Sequence, residues 1–256
     1  MILLSSTETS NREQRATNAF WNRENVMITG TDLAKRFFSS NGTTYDEMAN
    51  LSTLGLDTWW KKLILNKVPQ GSKQILDQAC GTGILTFKIA RKFPACRVIG
   101  VDLQDEYISI ARKKAKDLRQ TNIVFVSGRA EDVILDGDFD CITSSYLAKY
   151  ADLDRLIKNA RGMLREGGVV IIHELTHPAN PVLASLWKLN FKFLQTYGAW
   201  KYPEWETAFR ELPGVLKETN WVNELTEVLR ANAFSNIDVA SLAFEASAIV
   251  TARKVR

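Results

Sequence analysis

The run Ile75-Leu76-Asp77-Gln78-Ala79-Cys80-Gly81-Thr82-Gly83-Ile84-Leu85 is where this chain concentrates its chemistry. A short apolar segment ends in a carboxylate, passes through residues without bulk and enters a helical pattern, so backbone can run close beneath a nucleotide-like ligand. Ala79, Gly81 and Gly83 supply the room, Asp77 faces the crevice, and Cys80 between them is read as packing rather than as a nucleophile. A dinucleotide site shares this plan, but its fingerprint wants a third Gly or Ala three residues after Gly83, where pyrophosphate meets the helix N-terminus. Thr86 stands there instead. A second apolar segment, Val98-Ile99-Gly100-Val101, ends in Asp102, whose carboxylate suits two ribose hydroxyls, with Leu103 set against an adenine. After a third segment, Ile123 to Ser127, the stretch Gly128-Arg129-Ala130-Glu131-Asp132 offers amides and an acid to the adenine edge. These three segments form one pocket, and its expected ligand is S-adenosyl-L-methionine.

Ligands of such sheets bind beyond the carboxyl ends of the strands, which places Ser144 to Tyr150 and Glu174 to His177 around the methyl acceptor. Methyl transfer requires a nucleophile held in line and relieved of a proton. Glu174 and His177 are the candidate bases. Tyr146 and Lys149 are candidates to orient or polarise an acceptor oxygen, and Ser144 borders the cofactor. The string His173-Glu174-Leu175-Thr176-His177 also matches a zinc-peptidase pattern, which chelates only on a helix. Here it follows the apolar run Val169 to Ile172 and precedes Pro178, and extended residues four apart lie roughly 13 Å from each other. No metal site is expected.

The elements that must hold these groups follow from periodicity. Segments at Gln74–Asp77, Arg97–Asp102, Ile123–Ser127, Cys141–Ser144 and Val169–Glu174 alternate with helical stretches, the pattern of a parallel sheet covered on both faces. Gly167-Gly168 is read as the turn into the fifth strand. Helices are predicted at Thr31–Ser39, Leu56–Asn66, Val182–Thr196 and Trp221–Ala233, with a turn at Ser40-Asn41-Gly42 and closing strands near Ile237–Ala243 and Glu245–Ala252. The expected fold is α/β: a doubly wound, mostly parallel seven-stranded, Rossmann-like sheet with N-terminal helices and a C-terminal antiparallel strand pair. Residues 1–70 are read as a helical cap and 71–256 as the cofactor-binding domain, with a helical acceptor-pocket segment at about 178–233. The polar stretch Ser5 to Asn18 is a candidate lid.

Composition sets bounds. With 256 residues and 45% hydrophobic content, one good core is available. No run reaches the roughly 20 apolar residues of a bilayer span, so a cytoplasmic protein with at most peripheral membrane contact is expected, its oligomeric state left open. Cys80, Cys96 and Cys141 lack paired spacing, which argues for reduced thiols. The net charge of +4 is spread over solvated faces such as Arg112 to Lys116, without interleaved aromatics, and no nucleic-acid partner is expected.

Further motifs carry a resemblance. Tyr45-Asp46-Glu47-Met48, Leu51-Ser52-Thr53-Leu54-Gly55-Leu56, Trp60-Lys61-Lys62, Ser144-Ser145-Tyr146, Glu174-Leu175-Thr176-His177-Pro178 and Ala248 to Arg253 make the chain resemble, from about Phe37 to Arg253, the ubiquinone/menaquinone biosynthesis C-methyltransferases. The resemblance implies a class I methyltransferase fold and S-adenosyl-L-methionine. It would set Tyr45 over the methionine end of the cofactor, Asp77 near its amino group and Asp102 on its ribose. Two positions depart from the family. Leu147-Ala148-Lys149-Tyr150 replaces Gly-Leu-Arg-Asn, so the Arg-Asn pair facing the quinol ring is absent, and Lys149 is a point charge rather than a planar fork. Arg129-Ala130 replaces Asp-Ala, leaving Glu131 or Asp132 for the adenine. The implied activity is C-methylation of a prenylated quinol or similar aromatic, with a small-molecule, lipid-like acceptor. The lost Arg-Asn pair favours the alternative of O-, N- or S-methylation of another small molecule, and a cofactor-binding protein without turnover is the third reading. The aromatics between Leu186 and Trp205 would line an acceptor pocket, sit at a membrane surface or serve as core.

Overall fold

In the computed structural model, which describes residues 19–21 and 27–255, seven strands form one sheet and helices cover both of its faces. The first strands in the chain, β1 (Ala19–Trp21) and β2 (Met27–Thr29), instead pair antiparallel with each other, so the predicted helical cap begins with a strand pair. The candidate lid at Ser5 to Asn18 lies outside the described residues. Helices α1 (Gly30–Phe37), α2 (Tyr45–Ser52) and α3 (Leu56–Lys67) follow. Thr29 caps α1 by accepting the Asp32 amide at 3.2 Å, which satisfies one of the free N–H groups of its first turn. A side chain could not replace Gly30: its Cβ would stand 2.1 Å from the Tyr150 carbonyl oxygen, so α1 lies directly on the loop after the fourth sheet strand.

Sheet strands β3 (Gln74–Gln78), β4 (Arg97–Asp102), β5 (Ile123–Ser127), β6 (Phe139–Ser145), β7 (Leu164–Leu175), β8 (Phe234–Leu242) and β9 (Ser247–Lys254) run in the order β5-β4-β3-β6-β7-β9-β8. β3 to β7 are parallel, and β9 inserts antiparallel between β7 and β8. Their crossovers are α4 (Ile84–Lys92), α5 (Asp105–Asp117) and α6 (Leu153–Met163). From β3 the chain steps outward to β4 and later returns on the other side as β6, so the crevice of the switch point opens over β3 and β6. β7 is longer than expected. It starts at Leu164 and takes in Gly167-Gly168, with a register irregularity opposite Phe139 and Cys141 where the turn was predicted. His173 and Glu174 lie on this strand, paired with Ile249 and Ala248, so the zinc-like string is extended, and no metal-binding cluster occurs among the described residues.

Beyond the sheet, α7 (Pro181–Phe193) passes through a π-helical turn at Leu194–Gly198 to α8 (Glu206–Glu218) and α9 (Trp221–Ala231). The sequence reading missed α8, because Pro213-Gly214 sits inside it. Proline removes the N–H that the Phe209 carbonyl would accept, and the Gln195 side-chain amide donates to that carbonyl at 3.0 Å instead. A tertiary contact thus supplies what the helix lacks.

Candidate functional site

Two cavities open above the carboxyl ends of the strands. The first, of about 690 Å³, is walled by the loops after β3 (Ala79, Gly81), β4 (Asp102, Leu103, Gln104), β5 (Arg129, Ala130, Glu131) and β6 (Ser145, Tyr146, Leu147), with α1 and Tyr45 as its roof. The β3 loop reaches this shape through left-handed backbone at Ala79, Gly81 and Gly83. At Gly83, with φ +90°, a Cβ would also strike the Phe87 ring at 2.6 Å.

Asp102 holds that loop from the neighbouring strand. One carboxylate oxygen accepts the Gly81 amide at 2.8 Å and the other the Gln104 amide at 2.9 Å. An ionised carboxylate offers about four lone-pair sites, so two remain for a pair of ribose hydroxyls. Gln104 Nε2 and the Tyr150 hydroxyl, both on residues of this wall, are buried without a partner. These free polar atoms, the spare acceptors of Asp102 and the bulk-free loop fit S-adenosyl-L-methionine. Tyr45 lies with its ring 5.1 Å from that of Tyr107.

The remaining predicted cofactor residues stand behind this wall. Asp77 is buried, with Thr86 donating to one oxygen at 2.6 Å and Thr143 to the other at 2.8 Å. Burial, only partly offset by these hydroxyls, pushes its carboxyl up to about 6. Thr86, the residue that broke the dinucleotide pattern, therefore ties α4 to the end of β3. Cys80 packs into the cluster of Phe87, Ile108 and Phe125, and burial holds its thiol far above the ordinary range. Cys96 and Cys141 are buried and free as well. Gly83 caps α4 from below. Ser144 is buried beneath the cavity with its hydroxyl unpartnered. Glu131 reaches the cavity, but one oxygen accepts Arg129 at 3.1 Å and the Asp152 amide at 3.3 Å, so it anchors the β5 loop to α6. Asp132 pairs with Arg155 instead.

The second cavity, of about 620 Å³, shares Phe38, Tyr45, Tyr146 and Tyr150 with the first. Its other walls are mostly apolar, from Met48, Phe191, Leu194, Trp205 and Phe209, with Ser52 and Thr53 as hydroxyl-bearing members, and its one charged lining residue is Lys149. Lys149 is buried and donates to Glu174 Oε1 at 2.7 Å; Oε1 also accepts the Leu175 amide at 2.6 Å, while Oε2 has no partner. Burial lowers the Lys149 ammonium from its usual range, against the opposing pull of Glu174. Glu174 lines neither cavity; it stands behind the lysine. Nor does His177, whose ring packs edge-on to Trp187 at 5.0 Å. Of the four predicted catalytic residues, the cavities therefore receive Tyr146 and Lys149.

Tyr146 holds left-handed backbone, φ +67°, at the junction of the two cavities. Its hydroxyl donates to Asp57 Oδ1 at 2.6 Å, which also accepts Lys61 Nζ at 2.7 Å. Lys61 donates on to Ser145 at 2.9 Å, Ser145 bonds His173 Nδ1 at 2.8 Å, and His173 Nε2 bonds Ser247 at 2.7 Å. Lysine only donates, so Ser145 accepts from Lys61, and both ring nitrogens of His173 are taken up by serine hydroxyls. Burial, followed by Lys61 and Lys149, drives His173 well below its ordinary value of 6.5 and keeps it neutral. The Tyr146 hydroxyl is held protonated by burial and by Asp57. The sequence reading missed this chain. Its one visible signal was the unusual Lys and Asp, four apart on an otherwise apolar face of α3.

Residues 27–254 match the ubiE/COQ5 methyltransferase family. The chain belongs to that family. Demethylmenaquinone methyltransferase of Chlorobaculum parvum is 30% identical over 227 residues, covering 86% of this chain and 92% of the relative. The fold is shared with a Methanococcus maripaludis protein provisionally described as an S-adenosyl-L-methionine-dependent methyltransferase (TM-score 0.64, 16% identity, 86% and 94% of the two chains). It is also shared with geranyl diphosphate C-methyltransferase of Streptomyces coelicolor (TM-score 0.60, 14% identity, 78% and 77%), solved with S-adenosyl-L-homocysteine. This ubiE/COQ5-family protein is thus an S-adenosyl-L-methionine-dependent methyltransferase with a class I fold. No helix among its described residues is long and apolar enough to cross a membrane.

Proposed function

We propose that this methyltransferase methylates a ring carbon of a prenylated quinol of the demethylmenaquinol type. The observation that carries the reading is the apolar second cavity, joined to the cofactor cavity through Tyr146 and Tyr150 and holding one charged lining residue, Lys149. A flat ring with a hydrocarbon tail matches such a wall, whereas a charged amine would meet the Lys149 ammonium without a carboxylate on the cavity surface. S-adenosyl-L-methionine, when bound, supplies the activated methyl group, which the ring carbon ortho to an ionised hydroxyl accepts as the sulfur–methyl bond breaks and the ring later loses its proton.

The chain's own residues serve the ionisation. The Tyr146 oxygen accepts the quinol hydroxyl proton as its own proton passes to Asp57, to which it is already hydrogen-bonded at 2.6 Å. Lys61 and Lys149 stand 4.3 and 5.8 Å from the Tyr146 ring centre, so two ammonium groups offset the developing quinolate charge. Lys149 takes the place of the absent Arg-Asn pair, and Glu174 positions it. Asp102 and the β3 loop hold the cofactor.

The test is release of S-adenosyl-L-homocysteine with a panel of demethylmenaquinols, ubiquinol precursors, phenols, thiols and lipid amines, with the product's methyl located by mass spectrometry and NMR. Turnover on quinols with a new carbon–carbon bond is expected. Methylation at oxygen, nitrogen or sulfur, with quinols inert, would overturn the proposal.

A further inference from the structure

The outer face of α7 is an apolar stripe that nothing in the chain covers. At about 100° per residue, Val182, Leu186, Leu189 and Phe193 fall within an arc of about 60°, and all four are exposed, Leu189 at 63%. The π-helical turn carries the stripe on through Tyr197 to Trp200, which is 78% exposed. Phe193 and Tyr197 stack with ring centres 5.1 Å apart, and Trp200 leans on Tyr197 at 5.9 Å with its ring tilted by 46°. Opposite them on the same helix, Phe191 and Leu194 line the acceptor cavity.

Along the helix itself the charge beside this stripe is basic. Lys188, Lys192 and Lys201 are exposed beside it, and the sequence has no Asp or Glu between Glu174 and Glu204. Neighbouring elements extend the apolar face. The tip of the β8–β9 hairpin, bearing Phe244 at 80% exposure, is tied to the start of α7 by the Ala179 amide donating to Glu245 at 2.9 Å. The α2–α3 turn, bearing exposed Leu54, is tied to its middle by Asn190 donating to the Ser52 carbonyl at 3.1 Å.

We propose that this face docks on an anionic lipid surface, with α7 lying in the plane of the interface and the lysines on the headgroups. An apolar stripe with interfacial aromatics and flanking lysines is the composition that binds in this way. Antiparallel self-pairing about a two-fold axis would instead bring the lysine rows of two copies together. Seated there, α7 presents one face to lipid and the other to the acceptor cavity. The inference rests on the stripe and its charge, and it stands whichever acceptor is methylated.

Flotation with phosphatidylcholine vesicles, with and without phosphatidylglycerol, tests it. The wild-type protein should float with the anionic vesicles and be released by high salt. Leu186→Asp/Leu189→Asp should lose about tenfold or more of that binding, with unchanged circular dichroism, thermal midpoint and turnover on a water-soluble short-chain acceptor. Lys188→Glu/Lys192→Glu, which leaves the apolar stripe intact, should lose the preference for phosphatidylglycerol. Wild-type protein left unbound by anionic vesicles, or the Leu186→Asp/Leu189→Asp protein floating like wild type, would overturn the proposal. So would lipid-free self-association abolished by the same pair, because the face would then join two copies. Wild-type protein that turns over quinols but does not bind anionic vesicles would fail this inference alone, and wild-type protein that binds them but leaves quinols inert would fail the acceptor assignment alone.

Discussion

Replacing Lys149 by Met removes the ammonium from a pair in which both side chains are almost wholly buried, 2% exposed for the lysine and 0% for Glu174. The carboxylate would keep one backbone amide on Oε1 and nothing on Oε2. Breaking a buried pair from one side costs about 3–5 kcal/mol, because the surviving charge is left uncompensated. Neutralising that survivor removes most of the penalty, so Lys149→Met/Glu174→Gln should fall only about 1–2 kcal/mol below wild type, the cost of an imperfectly paired amide. Stability by itself would therefore treat the two residues as one unit, and turnover should not. If Lys149 offsets charge on the acceptor, the double variant stays about 100-fold down in kcat although its fold is restored. The assay is urea unfolding followed by circular dichroism on both variants, alongside single-turnover methylation. Recovery of the double variant to within about threefold of wild-type kcat would refute the role given to Lys149 and leave it as a core ion pair. A loss below about 1 kcal/mol in the single variant would refute the electrostatic argument itself.

Asp102→Ala removes both spare acceptors and the tether on Gly81, and S-adenosyl-L-homocysteine affinity measured by calorimetry should weaken by about 1–3 kcal/mol; unchanged affinity would remove the ribose assignment. Tyr146→Phe breaks the link from the acceptor to Asp57, and kcat should drop by at least about 100-fold with cofactor affinity intact, whereas normal kcat would eliminate the relay. His173 is held neutral well below 6.5 while the unfolded chain protonates near that value, so its stability contribution is present above about pH 6.5 and declines below it by about 1.4 kcal/mol per unit. Asp77, raised to about 6, runs the opposite way: its contribution is present at low pH and is lost as pH rises from about 4 to 6. The clean readout is the wild-type minus His173→Gln stability difference, which should shrink on going from pH 7 to 5; parallel curves would mean that the imidazole titrates alike in the folded and unfolded chain.

The sheet and the cofactor loop were legible in the sequence because their signals are local. Apolar runs bounded by Asp77, Asp102 and Ser127 and the small residues Ala79, Gly81 and Gly83 report backbone conformation directly, whatever lies around them. Side-chain roles are different, since they depend on which partner reaches an atom first. Asp77 reads as an open carboxylate, and packing supplies it with the hydroxyls of Thr86 and of Thr143, 66 residues later. Glu174 and Lys149 read as two independent candidates until packing turns them into a pair with the lysine in front. His177 sits two residues beyond β7, and its ring meets Trp187 of α7. The chain from Tyr146 to Ser247 joins residues of α3, β6, β7 and β9, and no spacing rule connects positions 57, 145, 173 and 247. The sequence determined which backbone could pass beneath a nucleoside. Only the tertiary structure decided which polar groups on that backbone were still free to meet a ligand, because hydrogen-bonding capacity is consumed by neighbours that only folding brings within reach.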